Sequence, residues 1–171
     1  AAVAYAAQQP GVVVVSMGFG GGEFPGELAI DPIFVTPSNH PGVTFVAASG
    51  DFGAPPSQPA ISPNVVAVGG TTLTLDGTGN IVNGAGWSGS GGGISAFQPQ
   101  PGYQTGIVTQ STTMRTNPDV AYNASPSTGF PVYDTFNNPI ATPWSQVGGT
   151  SAAAPQWSAL IAIANQGRAL A

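Results

Sequence analysis

The chain has 171 residues, 7 acidic and 2 basic, with a formal net charge of −5 and only 5% charged side chains, where globular chains average about 25%. Two arginines cannot make the basic footprint of a polyanion binder, the absence of lysine excludes a P-loop, and the absence of cysteine excludes disulfides and thiolate metal sites. The 25 Gly and 17 Pro approach a low-complexity composition, but apolar runs at 12–15 and 65–68 can bury surface, so one folded domain is expected.

Ala1 to Gln9 reads as the last turns of a helix that Pro10-Gly11 stops. No capping residue precedes it, so the helix is expected to begin upstream. Val12 to Met17 is a continuous apolar run, the pattern of a strand buried on both faces of a parallel sheet, and the Gly-rich loop Gly18 to Gly22 follows. Pro25 to Phe34 reads as a short helix or an irregular segment. Val43 to Ser49 gives a second buried strand at crossover spacing, and Asn64 to Val68 a third, entering Gly69-Gly70. Thr72 to Val82 reads as a hairpin around Asp76-Gly77. Residues 83–117 are loop-rich, with a Gly-Ser run from Ser88 to Gly93 and a strand at Ile94 to Phe97. Pro131 to Ile140 alternates like a second hairpin with Asn137-Asn138 near its turn. Trp144 to Val147 is a last strand before Gly148-Gly149-Thr150-Ser151. The helix from Ala152 to Ala171 has Trp157, Leu160, Ile161 and Ala164 at core spacing. The pattern is α/β, without repeats and without a linker long enough to separate two domains.

No apolar stretch approaches the ~20 residues of a membrane span, so neither a membrane nor a nucleic acid is expected as a partner. Many Gly, Ser, Thr and Asn with few charges suit an exported, extracellular protein. They also suit acid, because protonating every carboxylate leaves little positive charge to repel itself.

Two positions could carry chemistry. Ser151 stands between a glycine pair and an Ala-rich helix start, where free N–H groups and the helix dipole favour developing negative charge. The same position suits a plain N-cap serine, and Pro155 is read as lying in the first turn, where its missing donor is harmless. Asp51, in Ser49-Gly50-Asp51-Phe52-Gly53, follows the carboxyl end of a strand, where ligands collect in open α/β sheets; an Asx-turn role is the alternative. Glu23/Glu27 and Glu27/Asp31 are spaced i,i+4 and read as surface or first-turn carboxylates. His40, the only histidine, sits in a turn before a strand, at the sheet edge opposite Ser151. Asp76 and Asp134 read as turn residues, and Asp119 as a structural acid that could pair with Arg115. No acid cluster suggests a metal site. Asn123-Ala124-Ser125 matches a glycosylation acceptor, with Pro126 against it.

Six segments in order resemble the sedolisin family of serine-carboxyl peptidases, which share the subtilisin-like fold. They are Ser16-Met17-Gly18-Phe19-Gly20-Gly21, Ala47 to Gly53, Pro63 to Thr71, Gly91-Gly92-Gly93-Ile94-Ser95, Pro118-Asp119-Val120-Ala121 and Gly148 to Pro155. The resemblance covers residues 12 to about 165. It implies a mainly parallel sheet with flanking helices and added hairpins, and it makes residues 1–171 part of a peptidase domain rather than the whole. It makes Ser151 the nucleophile and Asp51, where subtilisins carry Asn, the oxyanion-hole residue. An ionised carboxylate has no proton to donate, so Asp51 must act protonated, which requires an acidic medium or a site favouring the neutral form. Substrate would lie along Ser16, Met17, Gly18, Phe19, Gly20, Ser49, Gly50, Gly149 and Thr150, with the Gly18–Gly22 and Ser88–Gly93 segments as cleft walls. The family's general-base Glu and its partner Asp lie upstream of the first strand, and its calcium ligands lie beyond Ala171. No cofactor is therefore expected within these residues, and the segment alone is expected to be inactive, its partners being a peptide substrate and the missing N-terminal part of the domain. The activity implied is acid endopeptidase; a non-catalytic peptide-binding pseudo-peptidase and an exported adhesin-like structural protein are the alternatives.

Overall fold

The computed structural model describes residues 1–38, 40–137 and 140–167. In chain order these form α1 (Ala2–Ala7), β1 (Val14–Met17), β2 (Gly21–Gly22), a 3-10 segment (Glu27–Phe34), β3 (Thr44–Ala48), β4 (Ser57–Gln58), β5 (Val66–Leu75), β6 (Ile81–Gly86), β7 (Gly93–Pro99), β8 (Met114–Asn117), β9 (Val120–Asn123), β10 (Phe130–Tyr133), β11 (Trp144–Val147) and α2 (Thr150–Asn165). Short 3-10 turns at Gly102–Gln104 and Pro126–Thr128 join the later strands. No described helix is long and apolar enough to cross a membrane.

The main sheet runs β1-β3-β5-β6, and β9 also pairs with β5. The pairs β1–β3, β3–β5 and β5–β9 are parallel, whereas β6 returns antiparallel through the Asp76 turn. Successive residues of β3 point to opposite faces, and both faces are buried. Phe45 and Ala47 join Val15, Met17, Phe34 and Ala67 beneath α1 and the 3-10 segment. Val46 and Ala48 join Val68, Ala153 and Ala154 beneath α2. That two-sided burial is why β3 reads as an unbroken apolar run. β1 is different: Val15 and Met17 are buried but Ser16 is exposed, as suits the edge strand of the described sheet.

Several elements depart from the expected pattern. β5 does not stop at Gly69-Gly70 but continues to Leu75; a Cβ on Gly70 would come within 2.8 Å of Trp87 and Ala124, so small residues there serve close packing. The second hairpin pairs β10 with β11 rather than closing within 131–140, and Asn138 lies outside the described residues. β8 and β9 carry no sequence pattern; β8 pairs antiparallel with β7 and β9 parallel with β5, and Asp119 ties them together, its carboxylate binding buried Arg115 through two 2.7 Å contacts and accepting the Ala67 N–H of β5 at 2.8 Å. In α2 the inward face is Ala153, Ala154, Trp157, Ser158 and Ile161, while Leu160 and Ala164 are exposed. Asp76 and Asp134 accept local N–H bonds in turns, as their surroundings suggest. The side chain of Asn123 is taken up by Thr128 on both of its polar atoms.

Candidate active site

Three chain ends converge. β1 leads into Gly18, β3 leads into Ser49-Gly50-Asp51, and α2 begins at Thr150. This is the carboxyl edge of the parallel strands, closed by a helix N-terminus, where α/β sheets collect ligands.

The N-cap of α2 is Gly149, with no side-chain cap bond, so Ser151 is not the cap serine that its spacing alone allows. It is the second helical residue, exposed, and its hydroxyl donates to the Gly18 carbonyl at 2.7 Å. Among the described residues the Ser151 N–H has no hydrogen-bond partner, as expected for a first-turn amide. Pro155 is the sixth residue of the helix rather than a first-turn residue. It therefore removes an interior donor, the N–H that would otherwise reach the carbonyl of Ser151.

Thr150 is fully buried. It therefore presents no side chain to a substrate and instead organises Asp51. Its N–H donates to Asp51 Oδ1 at 2.6 Å, and its hydroxyl lies 2.8 Å from the same oxygen. The hydroxyl also accepts the Gly50 N–H and faces the Gly50 carbonyl, each at 3.0 Å. Oδ1 is thus committed to Thr150, while Oδ2 takes no hydrogen bond from it. Gly149 makes this approach possible. Its φ of 102° disfavours any L side chain, and a Cβ there would stand 2.8 Å from Asp51 Oδ2.

Asp51 and Ser151 border one cleft of about 590 Å³, with Gly18 to Gly22 on one side and Ala48 to Ser57 on the other. Of the expected substrate contacts, Gly18, Phe19, Gly20, Ser49 and Gly50 line it. Ser16, Met17, Gly149 and Thr150 do not. Ser88–Gly93, expected as a second wall, also stays out of the cleft. It buttresses from behind: the Gly91 N–H reaches the Gly50 carbonyl at 2.7 Å, and the Gly89 carbonyl accepts the Gly53 N–H at 2.9 Å. A Cβ on Gly91 would fall 2.0 Å from the Ser49 carbonyl, so the approach requires glycine. The rest of the lining combines Phe19, Phe52, Ala54, Pro55 and Pro56 with Ser49 and Ser57, and Asp51 is its one ionisable side chain.

The remaining acids lie elsewhere. Glu27 is not a surface carboxylate; it is fully buried, accepts the Phe24 N–H at 3.1 Å, and burial raises its pKa above the ordinary glutamate value. Glu23 binds the Ser95 hydroxyl and, at 3.2 Å, the Ala96 N–H. Asp31 accepts the Ser62 hydroxyl and the Gln98 amide. His40 contacts the Gln9 carbonyl at 3.3 Å, away from the cleft. No three His, Cys, Asp or Glu side chains come together among the described residues.

Residues 1–169 match the subtilase family. Sedolisin of Pseudomonas sp. (strain 101) is 33% identical over 151 residues, covering 74% of this chain and 24% of that protein. Kumamolisin of Bacillus sp. (strain MN-32) is 36% identical over 146 residues, covering 73% of this chain and 25% of that protein. The chain thus spans about a quarter of the length of these curated relatives. Among solved structures, Pseudomonas sedolisin, a serine-carboxyl proteinase complexed with two molecules of pseudo-iodotyrostatin, superposes with a TM-score of 0.77 at 28% identity, covering 96% of this chain and 50% of that one.

Proposed function

This chain belongs to the subtilase family, among the sedolisins, and we propose that it carries the nucleophile and oxyanion hole of an acid-active serine-carboxyl endopeptidase. The observation that supports this most is the convergence at α2: an exposed Ser151 hydroxyl, a free Ser151 N–H, and a carboxyl held beside them by Thr150. Under this reading residues 1–171 are part of a peptidase domain. Its general-base glutamate, and any calcium ligands, come from outside them. The whole protein is extracellular and acts on peptides or proteins.

Ser151 Oγ attacks the scissile carbonyl carbon while the base glutamate takes its proton. The carbonyl π pair moves to oxygen, and that oxyanion receives the Ser151 N–H and a proton-bearing Asp51 Oδ2. Collapse expels the amine, which leaves with the proton from the base. Water then repeats the sequence on the acyl-serine and frees the acid. The hydrogen bond from Ser151 to the Gly18 carbonyl parks the hydroxyl and must break before attack. An ionised Asp51 could not donate and would repel the oxyanion, so turnover requires its protonated form.

The test compares kcat against pH for Asp51, Asp51→Asn and Asp51→Ala in the complete peptidase. Asn Oδ1 can keep both contacts from Thr150 while Nδ2 donates without needing a proton, so activity should survive to higher pH. Asp51→Ala should lose about 10²–10³ in kcat. An unchanged kcat and profile in Asp51→Ala would remove Asp51 from the chemistry. Residues 1–171 alone should bind peptide without turning it over, and turnover abolished by Ser151→Ala would show that they carry their own base.

A further inference from the structure

Asp51 is gripped from two sides by a segment that does not line the cleft. The Gly91 N–H donates to the Gly50 carbonyl at 2.7 Å, and the Gly89 carbonyl accepts the Gly53 N–H at 2.9 Å, so the two bonds bracket Asp51 and Phe52. Ser90 stands between the two gripping residues. Its hydroxyl accepts the Gly70 N–H of β5 at 2.8 Å and donates to the Gly91 carbonyl at 3.2 Å. The Gly70 carbonyl also accepts the Trp87 N–H at 3.0 Å, and the Ser90 N–H closes back on the Trp87 carbonyl at 2.9 Å. The turn from Trp87 to Ser90 is thus fastened at both ends to one residue of the main sheet. Beyond the last β5–β6 pair, Thr71 with Gly86, the Ser90 hydroxyl takes the place of a ladder carbonyl. A small neighbour makes room for it, since a Cβ on Gly69 would stand 3.1 Å from Ser90 Oγ.

We propose that Ser90 is a positioning residue for Asp51, linking β5 through Gly89 and Gly91 to the loop that carries the carboxyl. The link has a consequence at Thr150, whose hydroxyl has one hydrogen and two acceptors, Asp51 Oδ1 at 2.8 Å and the Gly50 carbonyl at 3.0 Å. Oδ1 already receives the Thr150 N–H at 2.6 Å. A Gly50 carbonyl without a partner would be the better acceptor for that hydrogen, since each bond already accepted leaves an oxygen one lone pair fewer. The Gly91 N–H removes this advantage and leaves the hydrogen to Asp51. Without the Ser90 hydroxyl the turn comes free of Gly70 and the grip on Gly50 loosens. The Gly50 carbonyl then draws the Thr150 hydroxyl, and the Asp51 carboxyl is held by the Thr150 N–H alone. The effect on turnover rests on the peptidase reading; the grip on Asp51 does not.

Amide hydrogen exchange in residues 1–171 tests the grip. In Ser90→Ala the Gly91 and Gly53 amides should lose about tenfold or more in protection relative to the amides of β3. Ser90→Cys keeps the shape of the turn with a weak donor and acceptor, so it should lose less, and it serves the same measurement if the Ala variant does not fold. Unchanged protection of Gly91 and Gly53 against β3 would overturn the proposal. In the complete peptidase, Ser90→Ala should lower kcat about 10–100-fold, the scale of a small displacement of a reacting group, with KM little changed. Placed on Asp51→Ala, the same change should cost less than about twofold, because no carboxyl is left to position. An equal factor in both backgrounds would mark a merely structural serine and overturn the proposal, as would an unaltered kcat. Lost protection in Ser90→Ala, beside a complete wild-type protein that turns over no peptide, would support the grip and count against the peptidase reading.

Discussion

Thr150 is where the geometry makes its most quantitative demand. Its hydroxyl has one hydrogen and faces two acceptors, the Gly50 carbonyl and Asp51 Oδ1, while accepting the Gly50 N–H. Thr150→Val therefore deletes one donated bond and one accepted bond, and leaves a part-buried Gly50 N–H with no partner. A lost neutral bond is worth about 0.5–1.5 kcal/mol and a stranded donor about 1–3, so the loss should be about 2–4 kcal/mol. Thr150→Ser keeps the hydroxyl and sheds one buried methyl group, for about 1 kcal/mol. Urea unfolding of the two variants beside wild type resolves this, because an m-value of about 1–3 kcal/mol/M turns the Val loss into a midpoint shift on the order of 1 M or more. In the complete peptidase Thr150→Val should also lower kcat, since Asp51 then keeps only the Thr150 N–H. A Val variant as stable as the Ser variant would refute the assignment of Thr150 as the anchor of Asp51.

Gly149→Ala should destabilise by about 1–3 kcal/mol from its backbone conformation alone, and by more from the contact with Asp51; calorimetry of this single variant checks it. Asp119→Ala strands a fully buried Arg115, for about 3–5 kcal/mol, read as a drop in urea midpoint. Glu27 has a raised pKa, so its contribution is present in acid and is lost as pH climbs through that value. Asp76 and Asp134 have lowered values set by hydrogen bonds within their turns, so theirs is present above the ordinary aspartate value and lost as pH falls below it. Unfolding midpoints against pH should accordingly decline above the ordinary glutamate value in wild type and decline less in Glu27→Gln.

What the sequence made legible follows from what it had to bury. β3 and the start of β5 are packed on both faces, so their apolar runs need no context to be read. β8 and β9 are four-residue strands paired to β7 and β5 and tied to each other by the Arg115–Asp119 ion pair, and strands so short leave no periodic trace. Even so, Asp119 and Arg115 four residues apart do hint at each other. At the site, the motif around Ser151 located the helix start but not its cap, because Gly149 takes that position through a backbone conformation that composition does not display. Thr150 reads in the sequence as a substrate contact beside Ser151, not as the anchor of Asp51. Its task depends on a residue 99 positions away, and no local pattern encodes that distance. Glu27 does lie in the first turn of its helical segment, but a glutamate there normally faces water, and here it is fully buried with its carboxylate on the Phe24 N–H.

These carboxyls divide by what each needs from its proton. Asp76 and Asp134 sit in exposed turns, accept N–H bonds, and have pKa values held below the ordinary one, so they stay ionised in mild acid. Asp119 faces a guanidinium that never gives up its proton. Glu27 is the reverse case, fully buried and held toward the neutral form by that burial. A protein arranged this way gives up little on moving into acid, since the described residues contain one salt bridge and the charged turns resist protonation. At higher pH Glu27 must ionise inside the packing behind the cleft. The proposed chemistry adds a demand of the same sign, because Asp51 can donate only with its proton in place. The packing around Glu27 and the oxyanion hole would then both lose favourable protonation as pH rises, through different carboxyls. Combining Glu27→Gln with Asp51→Asn in the complete peptidase should therefore extend activity to higher pH than either change alone. If the double variant gained nothing over Asp51→Asn, Glu27 would not be limiting and only Asp51 would set the alkaline limb.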